Sequence, residues 1–305
     1  MKELPYRAEL AYQVPLNLEA TLFCGQAFRW RVLSDNAFQA VVYGEALRLT
    51  NFQGRLLIQS TAERINHKPL SDFVWHYLGI EDNLDSVFPS HFATQYPHLF
   101  QGASAYFGLR LLRQEPFETL ISFMCAQGVG ISLIRRQILN LSQNFGDVIS
   151  ITEYKFPNDK QLANAPLHKL TACTNNNGIR ARNIRAIARA IAQGDLDLTK
   201  LSAPHCEFQA AREALLRYHG IGDKITDCVC LFGLGHRTSF PIDTHVRQYL
   251  REWFGLSTQT VSLSSKEYER LSNVARMLLG ESQAGLAGQL LFHYWRKDVK
   301  RMKVF

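Results

Sequence analysis

Residues 215–249 read LLRYHGIGDKITDCVCLFGLGHRTSFPIDTHVRQY. An apolar helical pattern runs into His219, Gly220, Ile221, Gly222, Asp223 and Lys224, and a second helical pattern starts at once. Two glycines around one aliphatic residue make a tight turn between helices. The glycines reach backbone angles closed to other residues, and Ile221 plugs inward. The amides of such a hairpin, together with the N-terminus of the next helix, cradle a phosphate without regard to base. Gly220 and Gly222 are therefore candidate phosphate contacts. Lys224, in the first turn of the second helix, is either a surface lysine touching phosphate or a nucleophile whose neutral amine attacks carbon. Asp243, in Pro241-Ile242-Asp243-Thr244-His245, reads as a helix N-cap, and capping does not exclude chemistry. A carboxylate there, facing Lys224, would stabilise an oxocarbenium-like sugar as a base departs.

Outward from this segment the period is helical. Phe117, Leu120, Ile121 and Met124 share a face, and Ile131, Ile134, Ile138, Leu141 and Phe145 continue it after Gly128-Val129-Gly130. Ile184, Ile187 and Ile191 mark a helix over 181–193 that stops near Gly194. Ser264 and Glu267 have capping-box spacing ahead of Tyr268, Leu271 and Ala275, and a last helix is expected over 284–298. The first third differs. Segments 28–32, 37–43, 47–50 and 55–59 alternate apolar and polar residues between turn signals, which predicts an antiparallel sheet, and a helix is expected over 70–78. The fold class is α+β, with an N-terminal antiparallel β-sheet domain over 1–115 and an all-helical body over 116–305.

Composition narrows the class. With 46% hydrophobic and 20% charged residues in 305, the chain is globular. No stretch approaches eighteen apolar residues and the first ten carry no secretory pattern, so neither a membrane nor export is expected. Thirty-four basic residues against 27 acidic ones give a net +7, which suits a polyanionic partner. The six cysteines form no paired CxxC motifs and read as reduced core thiols. His205, His219, His236 and His245 make no recognisable ligand set, so no metal and no cofactor are expected.

The run through Lys224, followed by Pro241-Ile242-Asp243, resembles the helix-hairpin-helix/Gly-Pro-Asp superfamily of DNA glycosylases. Within it, the 8-oxoguanine DNA glycosylase/AP lyase family is the close match. Gly25-Gln26-Ala27-Phe28-Arg29-Trp30, Gly178-Ile179-Arg180-Ala181-Arg182 and the segment from Ala284 to Phe292 resemble further motifs of that family, in the same order. The resemblance implies a TBP-like sheet domain before the catalytic body. It also implies an enzyme that flips a damaged nucleotide out of duplex DNA, excises oxidised guanine through a lysine Schiff base and cuts on the 3′ side. Lys224 would be the nucleophile and Asp243 the sugar-orienting carboxylate. Gly25 would accept a hydrogen bond from N7 of the oxidised purine, Cys228 and Phe292 would sandwich the base, and His245 would lie by the pocket. Ile179 would wedge into the emptied stack and Arg180 would read the estranged cytosine, with Arg182 and Gln127 nearby on DNA. The implied partner is double-stranded DNA containing a damaged base, inside the cell, with no obligate protein partner.

Three positions depart from the family pattern. Gly128 stands in the turn that enters the emptied duplex, Leu133 stands where an arginine is expected, and Gly288 takes the place of a glutamine, with the adjacent Gln289 expected in the base pocket. Two rivals therefore stay open: a glycosylase for alkylated or other damaged purines on the same fold, and a non-catalytic hairpin module that only binds DNA.

Overall fold

The computed structural model describes residues 4–257 and 263–302. Five strands, β1 (Tyr6–Ala11), β2 (Arg31–Ser34), β3 (Ala37–Val42), β4 (Glu45–Phe52) and β5 (Arg55–Ser60), form one antiparallel sheet in the order β1-β5-β4-β3-β2. Register pairs Phe38 with Leu49 and Leu49 with Ile58, so alternate residues fall on one face. That face buries Phe38, Leu47, Leu49, Leu56 and Ile58 with residues of helices Leu18–Phe23 and Leu70–Tyr77.

Two expectations shift here. Strand β1 was not foreseen, because its residues are mostly exposed at the sheet edge and carry Arg7 and Glu9. The expected strand over 28–32 begins only at Arg31. Phe28 and Trp30 are both apolar, but they serve two different cores. Phe28 meets Phe123 edge-on, with ring centroids 5.4 Å apart, whereas the Trp30 indole donates to Tyr77 Oη at 3.0 Å.

The second core is helical. It takes in Phe88, Phe92 and Leu109 from the connecting segment, then helices Pro116–Cys125, Ile131–Phe145, Gly178–Gln193, Phe208–Leu216, Asp223–Phe232, Thr244–Phe254 and Ser265–Leu279. Helix Ala284–Tyr294 is buried from Ala284 through Leu291, so it runs through the middle of this core rather than over it. Its last turns, Trp295–Val299, widen into a π-helix. Helix Gly178–Gln193 starts three residues earlier than expected because the Asn177 side chain caps it, accepting from Arg180 N at 2.9 Å. No helix among the described residues is long and apolar enough to cross a membrane.

Candidate active site

Helices Phe208–Leu216 and Asp223–Phe232 are the two arms of the hairpin. Ile221 is buried between them and Gly222 is exposed. Gly220 has φ +85°, and a Cβ there would come within 2.4 Å of the Asn183 amide, so only glycine lets the turn sit against helix Gly178–Gln193.

A buried network fixes the second arm. Arg212 donates from Nε to Asp227 Oδ1 at 2.8 Å and from Nη2 to Asp223 Oδ1 at 2.7 Å. Tyr268 Oη donates to Asp227 Oδ2 at 2.9 Å and accepts from Ile242 N at 2.9 Å. Burial pushes the Asp227 carboxyl up to about 6 against the pull of Arg212, which leaves it ionised at neutral pH. This network therefore ties the turn holding Lys224 to the residue before Asp243. Sequence reading missed it, although an aspartate among Ile225, Cys228 and Val229 was a signal for a buried charge pair.

Lys224 and Asp243 line one cleft of about 460 Å³, mouth included, with Gly25, Cys228, Gln289 and Phe292. Lys224 Nζ lies 5.0 Å from the centre of the Phe123 ring. Asp243 is the N-cap of helix Thr244–Phe254, with Oδ1 accepting from Val246 N at 2.8 Å. The Cys228 thiol is pushed up to about 12 by burial, so it presents a neutral, apolar wall. His245 stands edge-on to Phe292, ring centroids 6.2 Å apart, and does not itself line the cleft. Burial lowers its pKa, against the pull of Asp243.

Gly25 reaches the cleft with φ +91°. Its turn is held from both sides. Gln289 Nε2 donates to the Cys24 carbonyl at 2.8 Å, so this amide lines the cleft but is already engaged. Gln26 is a buried hub that donates to the Thr21 and Arg110 carbonyls, both at 2.8 Å, and accepts from Leu112 N at 2.9 Å. At Gly288 a Cβ would lie 2.5 Å from the Phe240 ring, so the ring occupies the space a side chain there would need.

The residues expected to meet the opposite strand are only partly available. Ile179 is 66% exposed on the first turn of its helix, and Arg182 is exposed beside it. Gln127 is exposed too, its amide donating to the Gly220 carbonyl at 3.0 Å. Arg180, expected to read the estranged cytosine, is the buried one of the group. It is 5% exposed, and its guanidinium donates to Gln137 Oε1 at 3.0 Å and to the Gln127 carbonyl at 2.6 Å. It braces the turn at Gln127 instead of facing outward. Among the described residues no cluster of His, Cys, Asp and Glu could hold a metal ion.

Residues 10–120 match the family described as the 8-oxoguanine DNA glycosylase N-terminal domain, and residues 121–277 match the HhH-GPD superfamily of base excision DNA repair proteins. The chain belongs to the 8-oxoguanine DNA glycosylase family of the HhH-GPD superfamily. Among relatives of this family, an N-glycosylase/DNA lyase of Saccharomyces cerevisiae is 34% identical over 166 residues, 49% of this chain and 43% of that protein. The N-glycosylase/DNA lyase OGG1 of Arabidopsis thaliana is 27% identical over 287 residues, 91% of this chain and 76% of that protein. The family fold is shared with MBOgg1 bound to a low-affinity DNA ligand, at TM-score 0.81 and 24% identity over 95% of this chain and 96% of that one. It is also shared with the 8-oxoguanine glycosylase/lyase of Clostridium acetobutylicum bound to duplex DNA carrying cytosine opposite 8-oxoguanine, at TM-score 0.79 and 23% identity over 94% and 93%.

Proposed function

We propose that this protein is a bifunctional DNA glycosylase/AP lyase of base excision repair that removes 8-oxoguanine from duplex DNA. The observation that carries the reading is the convergence of Lys224, Asp243, Gly25 and Phe292 on one cleft. The amine belongs to the arm that follows the phosphate-cradling hairpin, so a backbone held at Gly220 and Gly222 delivers an extruded nucleotide to it.

Each residue then has a task. The Lys224 Nζ lone pair forms a bond to C1′ as the C1′–N9 bond breaks, and the departing purine takes that electron pair. Asp243, with one oxygen spent on its helix, uses its remaining charge to stabilise positive character at C1′ and the ring oxygen. The lysine loses its proton, the sugar ring opens and a Schiff base forms. Removal of a C2′ proton then expels the 3′ phosphate and cuts the strand. Oxidised guanine carries a hydrogen at N7 where guanine carries a lone pair. The Gly25 carbonyl rewards the first and repels the second, and a buried acceptor left without a donor discriminates strongly. A mere binding module needs neither the amine nor the cleft.

Duplexes carrying 8-oxoguanine opposite each base, incubated with the protein and reduced with borohydride, test the proposal. The expected result is a covalent adduct that disappears in Lys224→Gln. Base release that persists in Lys224→Gln, above all from alkylated purines, would replace it with a water-attacking glycosylase. Release of no damaged base would replace it with the binding module.

A further inference from the structure

The π-helical turn Trp295–Val299 carries Arg296 into the protein, where the residue is 3% exposed. A π-turn inside a helix often marks a functional position. The Arg296 guanidinium carbon lies 5.2 Å from the centre of the Phe292 ring. A Cβ built on Gly25 would meet Arg296 Nη1 at 3.4 Å and Phe292 Cε1 at 3.6 Å, so guanidinium, ring and glycine turn pack as one unit. Phe292 lines the cleft with Lys224 and Asp243, and Arg296 does not. The cation therefore sits against the ring and beside the Gly25 turn, just outside the lining of the cleft. Asp243 attracts this cation, while burial works against its charge.

We propose that Arg296 is a positioning residue for departure of the base, its fixed charge acting through Phe292 on the negative charge that the purine acquires. The inference rests on the glycosylase reading above. As the Lys224 nitrogen bonds to C1′, the C1′–N9 electron pair leaves on the purine and spreads over N9 and the C8 oxygen. The proton released by the new lysine adduct neutralises it afterwards. A cation already in place, screened from water by the ring, stabilises that anion without reorganising. Strand cleavage at an abasic site expels no base, so it gains nothing from Arg296.

That difference separates an electrostatic role from simple bracing. Single-turnover release of 8-oxoguanine and cleavage of a preformed abasic duplex are measured for the wild type, Arg296→Met, Arg296→Gln and Arg296→Lys, with thermal midpoints as the check on folding. The neutral variants are expected to slow base release about ten-fold, the scale of removing one buried charge that acts on the base from beside the cleft. Arg296→Lys is expected to recover most of that loss, and abasic cleavage is expected to stay within about two-fold throughout. Base release at the wild-type rate in a folded neutral variant overturns the proposal, as does an equal slowing of both steps. Failure of both neutral variants to fold makes the cation a structural brace and also overturns it. Wild-type protein that cleaves the abasic duplex but releases no 8-oxoguanine overturns the parent reading instead.

Discussion

The cleft at Lys224 and the turn at Gln127 both abut the hairpin, yet they use their polar groups in opposite ways. In the cleft, residues from four separate stretches of chain line one space, and the bracing is done behind them by Arg212, Asp227, Tyr268 and Gln26. At the turn, the groups that could read DNA are themselves the braces: Arg180 holds the Gln127 carbonyl, and the Gln127 amide holds Gly220. On the function proposed above, the chemistry has a dedicated support, whereas reading of the opposite strand would share its donors with the fold. The expected consequence is a protein strict about the reacting nucleotide and tolerant of its partner base.

Substitutions inside the cleft test the first half with the largest effects. Lys224→Gln removes the only amine that lines the cleft among the described residues, and base excision should fall by about a thousand-fold or more, with no borohydride adduct. Survival of the adduct would place the nucleophile elsewhere. The support behind the cleft comes next. Arg212→Met leaves Asp227 as an uncompensated buried charge and should cost about 3–5 kcal/mol in denaturant unfolding. A loss under about 1 kcal/mol would mean that the pair does not stabilise the fold. Asp243→Asn keeps a side chain able to cap helix Thr244–Phe254 but deletes the charge. Excision should drop about a hundred-fold while the thermal midpoint barely moves.

The seam between sheet and body carries the Gly25 turn, and it responds to pH. Gln114 donates to the Gln26 carbonyl at 2.7 Å, and Arg29 crosses the seam to Glu118 at 3.3 Å and to the Tyr154 carbonyl. Between them the Glu115 carboxyl is pushed up to about 7, first by burial and then by the charge of Glu118. A carboxyl raised in the folded state binds its proton more tightly there than in the unfolded chain. Its extra stability is complete below the ordinary value of 4.5 and is lost as the pH rises through 7. Unfolding free energy should therefore fall by about 2 kcal/mol from pH 5 to pH 8 on account of this group, and Glu115→Gln should flatten that slope. An unchanged slope in the variant would show that Glu115 is solvated.

What the sequence revealed divides along the same line. The glycines at 220 and 222, the plug at Ile221 and the cap at Asp243 are local signals, each decided by a few neighbouring residues. The alternating runs from Ala37 to Ser60 likewise announce a sheet, because a period of two survives without knowledge of the partner strand. Gln26 reaching Arg110 and Gln289 reaching Cys24 bring together residues far apart in the chain, and no local pattern encodes them, whereas the apolar neighbours of Asp227 signalled a buried charge without naming Arg212 as its partner. The setting of Arg180 was hidden for the same reason. Its place in the motif was legible, but whether its guanidinium faces outward depends on Gln137, on another helix. Arg296 was hidden by a helix that changes its winding at Trp295.

The smallest expected effect is the one that bears most directly on the contrast. Were Arg180 a direct reader of the base opposite the lesion, losing it would cost about 1–3 kcal/mol of discrimination, or roughly five- to a hundred-fold in the preference for one opposite base. Held as it is between Gln137 Oε1 and the Gln127 carbonyl, it has no free fork to offer. Arg180→Lys shortens the reach and cannot bridge both acceptors. It should therefore lower the thermal midpoint by a few degrees and slow excision opposite all four bases alike, shifting the ratio between them by less than about three-fold. The measurement is single-turnover excision of 8-oxoguanine opposite cytosine, adenine, guanine and thymine, wild type against variant. A ten-fold collapse of preference with little change in the midpoint would mean that Arg180 swings out when DNA binds, and the two regions would then be built on the same plan after all.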